Sequence, residues 1–235
     1  MYVAHMRFEP IQHNQYGQTL LEVIIAISVI IAGVLGTVTL IASSVKAGRA
    51  ASDRLAAVNL AREAIEIVRN MRDSNWISVP LELWNQGLYD DVSGKIAVPY
   101  IHDTNLNDPI RLAFDVTDGS PNAAFTDQAS SGRRWSQVNY INGRYTQGLD
   151  VAPTGGTKFS RVIFLDTICW KFEAGAYLET IDPGTPNTSA NDCLVSPGGA
   201  WTIEAGTQIR VEVRWPGTSL TDQKIVLTDR LYEWR

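Results

Sequence analysis

Glu22 is a carboxylate at the edge of 20 uncharged residues, 23–42, in the order VIIAISVIIAGVLGTVTLIA, and a lone Gly17 stands five residues before it. A charge against so long an apolar segment is costly and calls for a specific partner. The other chemistry-bearing groups are few. Cys169 and Cys193 are the only cysteines. No His lies near either, and no third or fourth ligand stands at a recognisable spacing, which argues against a metal pair. If the C-terminal part is exported, a disulfide is expected, closing a loop of about 25 residues and contributing roughly 3.5 kcal/mol in the chain-entropy account; two buried thiols are the alternative. His102, Asp103, Asn105, Asn107 and Asp108 begin like a calcium loop. Asp108 then stands where Gly is needed and Phe114 where a bidentate Glu is needed, so a polar turn is expected. Gly155-Gly156-Thr157-Lys158 lacks the glycine order of a phosphate loop and precedes a strand rather than a helix. No Gly-x-Ser-x-Gly elbow is present. Glycosidase-type carboxylate pairs leave no local signature, so the many acidic residues say nothing for or against one. No catalytic residue, cofactor or metal is expected.

Residues 23–42 are long enough to cross a bilayer as one helix. The helical pattern does not stop there. After Ser43, Ser44, Lys46, Gly48 and Arg49, residues 50–72 place Ala57, Leu60, Ala61, Ala64, Ile65, Val68 and Met71 on one stripe at i, i+3, i+4, i+7 spacing. Arg62, Glu66, Arg69 and Asp73 are expected on the other face, Arg62 with Glu66 as an ion pair worth a few tenths of a kcal/mol. With no Pro between 11 and 79, the pattern predicts one helix from about Leu20 to Arg72, roughly 80 Å long. It should stop near Asp73-Ser74-Asn75, before Pro80. Gly33 and Gly36 are its weak points.

Beyond residue 75 the Gly, Pro, Asn and Asp punctuation between short apolar runs indicates β structure. Residues 95–101 and 111–115 are expected as short strands, and 119–132 and 182–199 as loops. In 161–172, apolar residues occupy both parities at the start, which predicts a central strand covered by the helix. In 208–215, Ile209, Val211, Val213 and Trp215 alternate with Arg210, Glu212 and Arg214, a half-buried antiparallel strand. Pro216-Gly217 then turns the chain into 224–228 to make a hairpin. The expected fold class is α+β: one long N-terminal helix, membrane-spanning in its first half and amphipathic in its second, on an antiparallel sheet with loop-rich insertions.

The chain has 235 residues, 20 basic and 25 acidic, for a net charge of −5. That suits one globular domain plus an N-terminal helix, and it lacks the basic footprint that direct nucleic-acid binding calls for. Of seven tryptophans, Trp170 and Trp215 are expected in the core. Trp135, beside Arg133 and Arg134, is the best exposed candidate for a glycan or protein partner.

Residues 16–42, with Gly17, Gln18 and Glu22, resemble the N-terminus of type IV prepilins and pseudopilins. The resemblance implies that a prepilin peptidase/methyltransferase cuts after Gly17 and N-methylates Gln18. Glu22 would then be the assembly carboxylate, neutralised by the N-terminal ammonium of a neighbouring subunit, which sets the register between subunits. Gln18 stands where the family usually has Phe or Met. Asn14-Gln15-Tyr16 replace its usual basic residues, leaving Arg7 offset by Glu9 in the leader. The implied organisation is a leader over 1–17, a long helix over 18–75 with its membrane part at about 20–42, and a β-rich pilin-like domain over 76–235. The implied role is a minor pilin or pseudopilin of a type IV pilus-like or type II secretion-like filament. Its partners would be sister subunits, an inner-membrane assembly platform and, before assembly, membrane lipid. It would be a single-pass protein of the cytoplasmic membrane with an extracytoplasmic domain, later part of a periplasmic or cell-surface filament. The alternative is an anchored receptor or adhesin that never polymerises. A removed secretory signal, with Ala42-Ser43-Ser44 as its cut site, is a further one.

Overall fold

The structure, a computed structural model of the 235-residue chain, describes residues 16–77, 84–88, 96–100, 111–114, 136–141, 144–147, 156–173, 175–182, 193, 202–217 and 222–233. Residues 1–15, the loop carrying His102 to Asp108, residues 119–132, Trp135 and most of 182–199 lie outside the described residues.

Helix α1 (Tyr16–Ile77) is a single element of 62 residues, as expected of a run with no proline. It continues past the expected stop. The Asn75 side chain donates to the carbonyls of Trp84 (3.1 Å) and Gln86 (2.8 Å), tying the last turn to residues 84–88. In that turn Gly87 has φ 75°, a left-handed conformation that glycine takes without penalty. Trp84 and Leu88 are buried in the core. The chain divides into two compact units, Met1–Ser52 and Asp53–Arg235. The second therefore contains α1 from Asp53 onward together with the sheet.

The strands are β1 (Ile96–Tyr100), β2 (Arg111–Phe114), β3 (Gln137–Ile141), β4 (Arg144–Thr146), β5 (Gly156–Glu173), β6 (Ala176–Asp182), β7 (Thr202–Trp215) and β8 (Gln223–Tyr232). They form one eight-stranded sheet whose recorded pairings are all antiparallel. Strand β5 is the hub. One of its edges carries β7 from Ser160 to Lys171; the other is shared in turn by β3, β1 and β6. The expected 208–215/224–228 hairpin is present as β7 and β8, with Trp215 opposite Gln223. The architecture is α+β.

The apolar stripe of α1 packs as its spacing requires. Ala57, Leu60, Ala61, Ala64, Ile65 and Val68 join Ile163, Leu165, Ile209, Val211, Val213 and Trp215 in one core, with Met71 at its margin. Alternation along β5 sends Phe159, Ile163 and Leu165 to the helix and Val162 and Phe164 to the opposite face; all five are buried. Three details differ from expectation. Arg69, not Arg62, pairs with Glu66 (2.6 Å), and it also reaches Asp229 of β8 at 2.7 Å. Arg69 therefore sits on the flank of the stripe; the hydrogen bond to Asp229 is the main reason its pKa is raised. Glu212 is buried rather than solvent-facing, because Arg214 (2.7 Å) and Lys224 (3.8 Å) accompany it. Trp170 is 40% exposed rather than core, and by alternation along β5 it shares the face of Val162 and Phe164, opposite the helix.

The least expected core member is Arg161, fully buried on the helix side of β5. Its Nε donates to Gln147 Oε1 (2.8 Å) and its Nη1 to the carbonyl of Leu60 in α1 (2.8 Å), with Glu63 Oε2 at 3.4 Å. Gln147, itself buried, donates to the carbonyls of Ser136 (2.6 Å) and Arg161 (2.7 Å). Burial pulls the guanidinium pKa below its ordinary value, and the Glu63 carboxylate opposes that shift.

Two further devices shape the sheet. A register shift between Ile168 and Cys169 leaves Ala205 of β7 without a counterpart on β5. Beside it, at Gly206, a Cβ would lie 2.1 Å from the Leu231 carbonyl oxygen, so only glycine lets β7 and β8 approach there. Cys169, buried in β5, is disulfide-bonded to Cys193, with Cα atoms 5.5 Å apart and a sequence separation of 24.

Arg161→Leu removes the donor that satisfies Gln147 and Leu60 while leaving their acceptors buried. It is expected to cost about 3 kcal/mol, read as a lower denaturant midpoint of the detergent-solubilised chain by tryptophan fluorescence. Cys193→Ser is expected to lower stability by roughly 3 kcal/mol in the same assay, and adding reductant to that variant should have no further effect.

Candidate membrane and assembly site

The first half of α1 has the composition of a core helix but is not covered by a core. Val23, Ile30 and Leu40 are 55%, 63% and 70% exposed, and every large apolar residue from Leu20 to Ile41 is similarly uncovered. The helix is long and apolar enough to cross a membrane, and its most apolar stretch has no buried share. Exposed apolar surface of this extent is unsuited to water, and a lipid surround would suit it.

The polar atoms of this stretch are arranged to suit such a cover. The hydroxyls between residues 23 and 42 belong to Ser28, Thr37 and Thr39. Each donates to a carbonyl of its own helix: Ile24 (2.7 Å), Val34 (2.8 Å) and Gly36 (2.8 Å). Ser43, just beyond, does the same to Leu40 (2.8 Å). No hydroxyl in the span is left to be solvated. At Gly33 and Gly36 an added Cβ would meet nothing within 4 Å, so these glycines answer no packing need within the chain.

Glu22 is the exception. It is exposed, one turn into α1, and has no ion-pair partner among the described residues. Gly17 and Gln18 lie in the first turn of the same helix. Four residues separate Gln18 from Glu22, about 6 Å of helix rise. A positive charge on the Gln18 nitrogen would thus lie close to the carboxylate along the axis, whether in the same chain or in a neighbour displaced by a turn.

Of the other sites weighed from sequence, Trp135 and the loop carrying His102 to Asp108 lie outside the described residues. Gly156, Thr157 and Lys158 are extended in β5, and the Lys158 ammonium pairs with Asp53 at 2.6 Å. They form no phosphate cradle. Among the described residues no group of three His, Cys, Asp or Glu could hold a metal. The two cysteines are joined, which removes them as thiol ligands or nucleophiles.

One feature escaped the sequence reading. Trp170 and Phe172 of β5 and Tyr177 of β6 form an exposed aromatic group, with ring centroids 6.2 Å (Trp170 to Tyr177) and 5.1 Å (Phe172 to Tyr177) apart. Ile203 of β7, 54% exposed, pairs with Trp170. The available signal was one of parity: Trp170 and Phe172 alternate with the polar Lys171 and Glu173, whereas 162–165 are apolar on both faces. Period alone does not say which of the two faces another element covers, or how far along the strand that cover extends. Compared with known proteins, the chain matches no family model, no curated protein and no solved structure.

Proposed function

We propose that the chain is a filament subunit of the type IV pilin or pseudopilin kind, cut after Gly17 and assembled through the first half of α1. The observation that carries this reading is the division of labour along one helix. Its stripe from Ala57 to Val68 is committed to the sheet, while its large apolar residues from Leu20 to Ile41 are exposed and, with Glu22 at their edge, have no partner among the described residues.

Hydrolysis of the Gly17–Gln18 peptide bond generates a new ammonium on Gln18. Glycine has low helix propensity, so the first turn of α1 opens at Gly17 at small cost to admit a peptidase. In the membrane the span is solvated by lipid. In a filament the same surface is covered by other helices through van der Waals packing, and the ammonium of one subunit answers the carboxylate of the next. The disulfide favours an oxidising compartment for the globular domain, on the far side of the membrane from the leader. The exposed aromatic group around Trp170 supports a second reading, an anchored receptor that binds without polymerising, because ring faces in water are suited to a ligand.

Intact mass of the protein from its native membrane separates the two: the filament reading requires a chain that begins at N-methylated Gln18, whereas a chain retaining Met1 supports the anchor. Gly17→Val is expected to abolish cleavage, leaving full-length protein on a gel. Glu22→Ala should be inserted and cut normally yet be reduced at least tenfold in sheared filament fractions. Wild-type filament levels of that variant would remove Glu22 from the assembly mechanism.

A further inference from the structure

Immediately after the apolar span, α1 carries two cations, Lys46 and Arg49, with small residues between and beyond them: Ala47, Gly48, Ala50 and Ala51. Both cations are exposed, and neither has an ion-pair partner among the described residues. They lie three residues apart, hence about 60° apart around the helix and on one side of it. The carboxylate best placed to neutralise Arg49 is Asp53, at i+4, and it is engaged instead by Lys158 at 2.6 Å. At 1.5 Å per residue, Lys46 lies about 6 Å beyond Ala42 and Arg49 about 10 Å beyond it. The polar layer flanking a bilayer's hydrocarbon core is roughly 5–8 Å thick on each side, and long basic side chains extend toward it. If residues 23–42 fill the core, both charges fall at the level of the lipid phosphates. Arg54, also exposed, lies about 18 Å beyond Ala42, outside that layer.

We infer that Lys46 and Arg49 form a recognition site for anionic phospholipid headgroups in the leaflet on the C-terminal side of the span. The ligand is the phosphodiester of a lipid carrying net negative charge. The small residues around the cations keep the helix surface open to the headgroup; a Cβ added at Gly48 would meet nothing within 4 Å. The other boundary of the span carries Glu22 instead, so the attraction is confined to one leaflet. The inference rests on the membrane span in the reading above, but on neither cleavage nor polymerisation. It adds a function to the membrane-embedded chain: retention beside anionic lipid in that leaflet.

The test uses the full chain reconstituted in phosphatidylcholine vesicles doped with spin-labelled phosphatidylglycerol or spin-labelled phosphatidylcholine. The motionally restricted fraction of each label gives their relative association with the protein. Phosphatidylglycerol is expected to be preferred roughly fivefold, in line with the attraction of a basic group for an anionic surface, and the preference should fall as salt rises. The double variant Lys46→Gln/Arg49→Gln should bring the ratio to about one, while Arg54→Gln leaves it unchanged. Equal restriction of the two labels by the wild-type chain overturns the inference alone, as does a preference that survives the double variant or is lost equally with Arg54→Gln. Failure of the chain to float with the vesicles overturns the membrane reading and this inference together.

Discussion

The guanidinium of Arg161 holds α1 on the sheet, and the arrangement of the globular unit follows from how that charge is satisfied. A fully buried cation is tolerable only when acceptors surround it; Nε and Nη1 of Arg161 have them, while its buried Nη2 has none among the described residues. Here the acceptors come from three places: the Leu60 carbonyl in α1, Gln147 after β4, and the Glu63 carboxylate at the margin. Gln147 is held in turn by carbonyls of β5 and of Ser136, just ahead of β3. Sliding the helix by one residue would withdraw the Leu60 carbonyl and strand the charge. The apolar stripe alone would tolerate such shifts better, because alanine-rich surfaces pack nondirectionally.

Two outer ties agree with this central one. Asp53 meets Lys158 of β5, and Arg69 meets Asp229 of β8. From Asp53 to Leu60 the helix advances seven residues, and from Lys158 to Arg161 the strand advances three. Both distances are about 10 Å, so the contacts at the two positions are satisfied together. Surface ion pairs contribute little singly. Their value here is in fixing the axial position of a helix whose core contacts are made by small side chains.

The same helix carries two solutions to one problem. From Ala57 to Val68 its apolar side chains are buried by strands of the same chain. From Leu20 to Ile41 they are not, and every hydroxyl between residues 23 and 42 turns back on its own helix. No described residue covers that surface; under the proposed reading lipid and other apolar helices would suit it about equally well, and it could pass from one to the other with little change in solvation energy. Glu22 is the group for which the two environments differ, since a carboxylate near the edge of lipid can reach water, while one inside a helical bundle needs a cation.

Much of this protein is legible in its residues taken in order. Twenty uncharged residues with no proline dictate a span-length helix, the spacing from Ala57 to Met71 dictates which face of its continuation is buried, and the strict alternation of 208–215 dictates a strand. Gly17 and Glu22 stand out for one local reason, being a glycine and a charge placed against an apolar run, while Gln18 is singled out only by the resemblance to prepilins. Cys169 and Cys193, the only two cysteines, are legible as a candidate pair, and the structure joins them. What tertiary structure decided is every outcome that depends on partners distant in sequence: Arg161 read as a strand residue but is enclosed by Leu60 and Gln147, Glu66 took Arg69 rather than Arg62 because Asp229 draws that arginine to the flank, and Trp170 stays exposed on the face of β5 opposite the helix. Local periodicity reports which side of an element is apolar. It carries no information about how far another element extends to cover that side, because that depends on where the chain returns in space.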